Sequence, residues 1–433
     1  MTSFNASSCH SLNGSIKVPG DKSISHRSIM LGSIANGVTN VSGFLEGEDS
    51  FATLRAFQQM GVQIDRTGSN IAIHGVGKHG LKSPSEPLDL ANSGTSIRLM
   101  SGLLSAQSFN SQLCGDESLS KRPMARIIEP LSMMGAVIDS YESKPPLSII
   151  GNQKLSAINY TLPIASAQIK SCLLLAGLYA DGETFIIENN TTRDHTERML
   201  RGFGYPVNSS NGQISLMGGG ELNACDIEVP SDISSAAFFI VAASIAKEAD
   251  ITLNAVNINP TRTGILDILD MMGANIRLTD ERVIAGELVA DIRVCSAELH
   301  GIDIPQELVP LAIDEFPVIF IAASCATGDT LLAGAKELRV KESDRIQVMA
   351  DGLTALGIKN EVLEDGIRIQ GGEFSKQNSV IKSHQDHRIS MSFAIASSRS
   401  EYDIRIEGVD NVQTSFPNFV ELANKIGMNI EEI

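Results

Sequence analysis

The sequence predicts an α/β protein built from six copies of one unit and divided into two lobes of three. Three observations lead there. First, a helical stretch that ends in Gly and runs into alternating apolar residues recurs as LRAFQQMGVQI, IEPLSMMGAVI, ERMLRGFGYPV, LDILDMMGANI, ADGLTALGIKN and VELANKIGMNI. Its glycines are Gly61, Gly135, Gly204, Gly273, Gly357 and Gly427, spaced by 74, 69, 69, 84 and 70 residues, a period that marks a repeated structural unit. Second, an extended stretch, a polar helix start and a small-residue apolar helix interleave with the first pattern. The copies are KVPGDKSISHRSIMLGSIA, LDLANSGTSIRLMSGLL, LPIASAQIKSCLLLAGL, VPSDISSAAFFIVAASIA, LVPLAIDEFPVIFIAASCA and HQDHRISMSFAIASS. Third, EVPSDISSAA mirrors KVPGDKSISH near the amino terminus, so three repeats fall on each side of a break near residue 232.

Each glycine stands where a helix C-cap needs positive φ, and the alternation after it reads as a half-buried strand. The second set of helices is apolar around most of its circumference and is therefore buried. Strands alternating with helices pack as α/β layers. Six buried helices lying side by side can bring their N-termini to one surface, where unpaired N–H groups and helix dipoles favour anions. The Ser, Thr, Asp and Asn residues at those starts are equally ordinary N-caps. The first strand, before Gly20, can pair with either lobe.

Composition restricts the partners. Lys+Arg 34 against Asp+Glu 51 gives a net charge of −17, which speaks against nucleic acid or an anionic membrane surface as a general partner. An anion handled by such a chain needs a few locally concentrated cations. The least polar stretch, Ser234 to Ala246, is too short to cross a bilayer, and the start MTSFNASSCHSLNGSIK has no apolar signal region. Cys9, Cys114, Cys172, Cys225, Cys295 and Cys325 are scattered without CxxC spacing, as free thiols of a reducing cytoplasm are. No metal-ligand spacing, P-loop, GxGxxG turn or GxSxG elbow is present, so no metal site emerges from the residues.

The chemistry-bearing segments sit at the helix starts. In PGDKSISHR a helix beginning near Lys22 puts Ser23 and Arg27 on one face, a hydroxyl and a guanidinium suited to phosphate or carboxylate, with Lys22 adding a point charge. In LRVKESDRI, read as a helix, Lys341 and Arg345 are i,i+4 like charges; an anionic ligand or the neighbouring Glu342 and Asp344 can lie between them. AIDEFPV places Asp314 and Glu315 ahead of an apolar helix, where an N-capping acid and a general base both fit. NSGTSIR offers Gly94 for close backbone approach, KRPMARIIEPL offers Lys121 and Arg122, and QDHR offers His387 and Arg388.

Taken together, PGDKSISHR, NSGTSIRL, GDESLSKRPM, KESDR, QDHR and the TSFP segment at Thr414–Pro417 resemble the 5-enolpyruvylshikimate-3-phosphate synthases. The resemblance implies a two-lobed enolpyruvyl transferase fold of six βαβαββ repeats, with one lobe over residues 20–232 on the shikimate 3-phosphate side. The other lobe combines 1–19 with 233–433, and the active site lies in the cleft. It implies transfer of the enolpyruvyl group of phosphoenolpyruvate to the 5-hydroxyl of shikimate 3-phosphate, by a cytoplasmic monomer without cofactor. By motif position, Lys22, Ser23, Arg27, Ser166, Gln168 and Arg193 would hold shikimate 3-phosphate, with Asp314 and Lys341 at its hydroxyls. Lys22, Gly94, Arg122, Gln168, Arg345 and Arg388 would hold phosphoenolpyruvate. Asp314 is the implied base, Lys22 or Glu342 the acid, and His387 an assistant.

Ala167, Lys170 and Arg193 replace residues typical of the enteric and plant members, which resembles a divergent second class. Thr414 stands where the first class has a substrate-facing Lys, and Glu337 where it has Asn. Two rivals remain. The related UDP-N-acetylglucosamine enolpyruvyl transferases usually carry a catalytic Cys in the loop that here reads GDESLSKRP, with Cys114 only before it. A noncatalytic anion-binding relative would have lost Asp314, Glu342 or several arginines, and none is lost.

Overall fold

Burial of the apolar helices organises the chain in a computed structural model that describes residues 2–377 and 379–433. These inner helices run over Lys22–Ile34, Gly94–Leu104, Ala167–Gly177, Ile233–Ile245, Phe316–Ser324 and His387–Ala396. Small and aliphatic side chains all round leave them no solvated face, and every residue of Ile233–Ile245 and Phe316–Ser324 is buried. Outer helices alternate with them at Glu48–Gln59, Ala125–Met133, His195–Gly202, Gly264–Met271, Arg345–Ala355 and Phe419–Lys425. Each outer helix ends two residues before a glycine of the repeat. Those six glycines have φ between 77° and 104°, a left-handed turn that any Cβ would strain. A strand follows every one of them.

The chain divides into two compact units, one of Gly20–Val229 with Ile284–Glu287, the other of residues up to Pro19 with Pro230–Val283 and Leu288–Ile433. In the first, three four-stranded sheets share one plan. Ile227–Glu228 pairs parallel with Asn36–Ser42, Leu88–Asp89 with Ser111–Cys114, and Asn159–Thr161 with Glu183–Ile187. Two antiparallel strands complete each sheet. The second unit repeats the plan with strands borrowed from the amino-terminal segment. Leu12–Ile16 lies parallel to Ala249–Asn257, and Ser3–Ser7 sits antiparallel between Ile404–Glu407 and Asn429–Glu432.

Aromatic packing explains that borrowing. Phe4 lies 6.1 Å from Phe419, which also meets Phe239 at 5.9 Å and Phe416 at 5.5 Å, ring centre to ring centre. All four are buried, each contributing about 1.5–3 kcal/mol of transfer free energy. Each unit has its own apolar core. No helix among the described residues is long and apolar enough to cross a membrane.

The inner helices Gly94–Leu104 and Ala167–Gly177 meet at Gly102, where a methyl group would run into the carbonyl oxygen of Cys172 and lie 3.1 Å from its Sγ. Gly102→Ala should therefore cost about 1–3 kcal/mol, read as a lower midpoint in urea unfolding. An unchanged midpoint would mean that the two helices separate without penalty.

Candidate active site

A buried helix start must satisfy its own N–H groups, and most of the inner helices do so with the residue just before them. Asp21 accepts from the Ile24 amide at 2.9 Å, Ser93 from Ser96 at 3.1 Å and Ser166 from Ile169 at 3.4 Å. Asp232 accepts from Ser234 at 2.8 Å and Asp386 from Arg388 at 3.0 Å. The Phe316–Ser324 helix lacks a side-chain cap and instead has Pro317 in its first turn, which has no N–H to satisfy. Residues directly after these caps are fixed in direction, and many residues singled out from the sequence lie there.

Within the Gly20–Val229 unit, Lys22 opens its helix and pairs with Asp49. Arg27, one turn on, is 4% exposed. It donates from Nε to Thr196 Oγ1 at 2.7 Å, from Nη2 to Ser171 Oγ at 2.7 Å and from Nη1 to the Ser23 carbonyl at 3.0 Å. Burial pulls its pKa down to about 10, against the opposing charge of Glu197. Gly94 opens the next inner helix. A Cβ there would lie 2.8 Å from Arg98 Nη1 and 2.9 Å from Arg122 Nη1, so its missing side chain lets two guanidinium groups approach one backbone. Arg122 donates to Asn92 Oδ1 at 2.5 Å. Gln168 accepts from Arg98 at 3.0 Å and donates to Thr95 Oγ1 at 3.2 Å. Ser166 is the cap beside it, and Arg193 lies on the loop before the His195–Gly202 helix.

Within the other unit, Asp314 is the meeting point. Its Oδ1 lies 3.3 Å from Lys341 Nζ and 3.5 Å from Arg345 Nη1. Its backbone carbonyl accepts from Arg388 Nη1 at 2.7 Å. Arg345 is 1% exposed and reaches Asp386 through Nε at 2.9 Å and Glu342 through Nη2 at 2.5 Å. Burial alone would lower its pKa; Asp386, Glu342 and Asp314 outweigh that and hold it above its ordinary value. Glu315, 1% exposed, accepts from Ser234 Oγ and lies 3.5 Å from Arg388 Nη1. His387 opens the final inner helix, beside Arg388.

Two sequence readings change. Lys341 and Arg345 do not share a helix: Asp344 caps Gln347 at 3.1 Å and starts the helix at Arg345, and the carboxylate of Asp314 lies near both cations. Glu315 stands at the N-cap without capping by side chain, and the carboxylates of Asp314 and Glu315 face cations. Asp49, Arg98 and Asp386 enter as partners that motif reading passed over. Asp386 stands inside QDHR and was legible as an N-cap, whereas nothing in the sequence ties Asp49 to Lys22. Cys114 ends a strand with its thiol held above its ordinary pKa by burial and by Asp89, the opposite of an activated nucleophile. Among the described residues no cluster of His, Cys, Asp or Glu is arranged to hold a metal.

His26 is a buried neutral group of this region. Its Nδ1 lies 2.8 Å from Thr53 Oγ1 and 3.2 Å from Ser96 Oγ. Burial, then Lys22 and Arg27 against Asp49, push its pKa down from 6.5 to about 3. As pH drops below 6.5 the unfolded chain takes up a proton that the folded chain refuses until about pH 3, so stability decreases as pH is lowered through that window, by up to about 1.4 kcal/mol per unit. His26→Asn should flatten urea-derived stability between pH 6 and 4 relative to the parent. Parallel pH profiles would show that His26 protonates in the folded state.

The chain is similar to known proteins over nearly its full length. The family described as EPSP synthase (3-phosphoshikimate 1-carboxyvinyltransferase) matches residues 7–422. A 3-phosphoshikimate 1-carboxyvinyltransferase of Ruthia magnifica is 69% identical over 430 residues, 99% of each chain. One from Hydrogenovibrio crunogenus is 59% identical over 98% of this chain and 96% of its own. The 2.37 Å structure of EPSP synthase from Acinetobacter baumannii superposes with a TM-score of 0.89 at 55% identity, covering 100% of both chains.

Proposed function

The chain belongs to the EPSP synthase (3-phosphoshikimate 1-carboxyvinyltransferase) family, and we propose how its residues divide the reaction of that family. The enolpyruvyl group of phosphoenolpyruvate passes to the 5-hydroxyl of shikimate 3-phosphate, and phosphate leaves. Both substrates are anions, which accounts for cations gathered at helix starts of a protein with net charge −17. The observation that carries the residue-level reading is the carboxylate of Asp314 beside Lys341 and Arg345.

On this reading Lys22, Ser23, Arg27, Ser166, Gln168 and Arg193 hold shikimate 3-phosphate, and Asp314 and Lys341 take its hydroxyls. Lys22, Gly94, Arg122, Gln168, Arg345 and Arg388 hold phosphoenolpyruvate. Arg27 has donors tied up inside the protein, so it contributes charge and a fixed direction more than reach. Arg98, brought against Gly94 beside Arg122, is added to the phosphoenolpyruvate group.

The chemistry follows from charge. C3 of phosphoenolpyruvate takes a proton from Lys22 or Glu342, which leaves C2 electron-poor. The 5-hydroxyl then bonds to C2 while Asp314 accepts its proton, giving a tetrahedral intermediate. The group that protonated C3, Lys22 or Glu342, takes a proton back from it as phosphate departs, which restores the double bond in the product, with the arginines stabilising the leaving charge. His387 assists this traffic from the start of its helix. A cytoplasmic monomer completes the proposal; the free cysteines of the chain are what a reducing compartment leaves.

Phosphate release from phosphoenolpyruvate, measured with and without shikimate 3-phosphate, tests the reading. Release should require both substrates, and Asp314→Ala should lower kcat by about 10²–10⁴-fold, the usual share of a positioned base. No release by folded parent protein would overturn the activity. Full activity in Asp314→Ala would remove Asp314 from its role.

A further inference from the structure

Lys170 is the charged residue of the SAQIK segment, the reaction has no use for it, and it is fully buried. A lysine has three N–H donors and no acceptor, and Lys170 Nζ meets three oxygens. Glu197 Oε1 lies at 2.8 Å, Glu188 Oε2 at 3.1 Å and the Thr192 carbonyl at 3.2 Å. Glu188 in turn accepts from Thr192, from Oγ1 at 2.7 Å and from the amide at 3.3 Å. Thr192 is thus held at its carbonyl, amide and hydroxyl, and the next residue is Arg193.

The neighbours of Lys170 and Glu197 complete the arrangement. Ser171 follows Lys170 and Thr196 precedes Glu197, and these two hydroxyls bond to each other at 2.7 Å while receiving Arg27. One buried cluster therefore joins the Lys22–Ile34 helix, the Ala167–Gly177 helix and the loop that carries Arg193. Among its charges are the cations Arg27 and Lys170 and the carboxylates Glu188 and Glu197. Two buried carboxylates without a paired cation are costly, so the lysine and the glutamates require one another.

We propose that Lys170, through Glu188, Glu197 and the Thr192 backbone, is a positioning residue that sets Arg193 for the 3-phosphate of shikimate 3-phosphate. The inference rests on the assignment of Arg193 to that phosphate in the reading above. Lys170 touches no substrate and acts by fixing the peptide from which Arg193 extends.

Calorimetric binding of shikimate 3-phosphate to the full chain, without phosphoenolpyruvate, tests this on Lys170→Met, Arg193→Ala and the double variant. Arg193→Ala and Lys170→Met should each weaken binding on the order of ten- to a hundredfold, and the double variant should be no weaker than Arg193→Ala. The KM for shikimate 3-phosphate should rise while kcat at saturation changes little. Parent-like binding by Lys170→Met, or losses that multiply in the double variant, would overturn the proposal. Parent-like binding by Arg193→Ala would remove the role of Arg193 and this inference with it. Glu188→Gln, which keeps the Lys170–Glu197 pair, decides the matter if Lys170→Met does not fold. It should weaken binding a few-fold in the parent and not at all beside Arg193→Ala; unchanged binding in the parent would overturn the proposal.

Discussion

A helix buried on all sides cannot leave its first N–H groups without partners, and this constraint underlies the rest of the molecule. Asp21, Ser93, Ser166, Asp232 and Asp386 meet it at five inner helices. Pro317 eases the demand at the sixth. A cap holds the backbone of the residues that follow, so Lys22, Gly94, Gln168 and Arg388 extend from peptide that is already ordered. The caps serve folding, and in the proposed reading the directions they impose serve anion binding.

Charge pairing supplies the second layer. Arg345 is buried against Asp386, Glu342 and Asp314, and Lys170 against Glu188 and Glu197. Removing either cation would leave carboxylates stranded in a poorly solvated interior, a cost of several kcal/mol. Such pairs tie helix starts to one another within each unit: Arg345 joins the start of its own helix to that of His387–Ala396, and Arg27 joins its helix to Ser171 and Thr196. Preorganisation of this kind is what an enzyme of charged substrates requires, because donors already in place need no rearrangement as charge develops.

Much of this was legible from residues alone, and the reason is periodicity. Gly61, Gly135, Gly204, Gly273, Gly357 and Gly427 all take positive φ and each precedes a strand, since a C-cap glycine and the alternation after it are local features. The inner helices were legible because their composition allows no solvated face. Contacts between distant segments were not. Lys22 and Asp49 belong to different helices without a shared period, and Phe4 joins Phe419 across most of the chain. The i,i+4 spacing of Lys341 and Arg345 suggested one helix because spacing carries no information on where a cap begins; Asp344 begins it at Arg345. Lys170 looked only like a departure from a motif, since nothing local announces that Glu188 and Glu197 fold onto it.

If the caps organise the site, the helix starts are formed before any substrate arrives. Hydrogen exchange at the amides of Ile24, Ser96, Ile169, Ser234, Gln347 and Arg388 in the free protein tests it most directly. Exchange there should be as slow as in the middle of the same helices, with little further slowing when both substrates are added. Fast exchange in the free protein, with protection appearing only on binding, would contradict it and would make the substrates the organisers of the site.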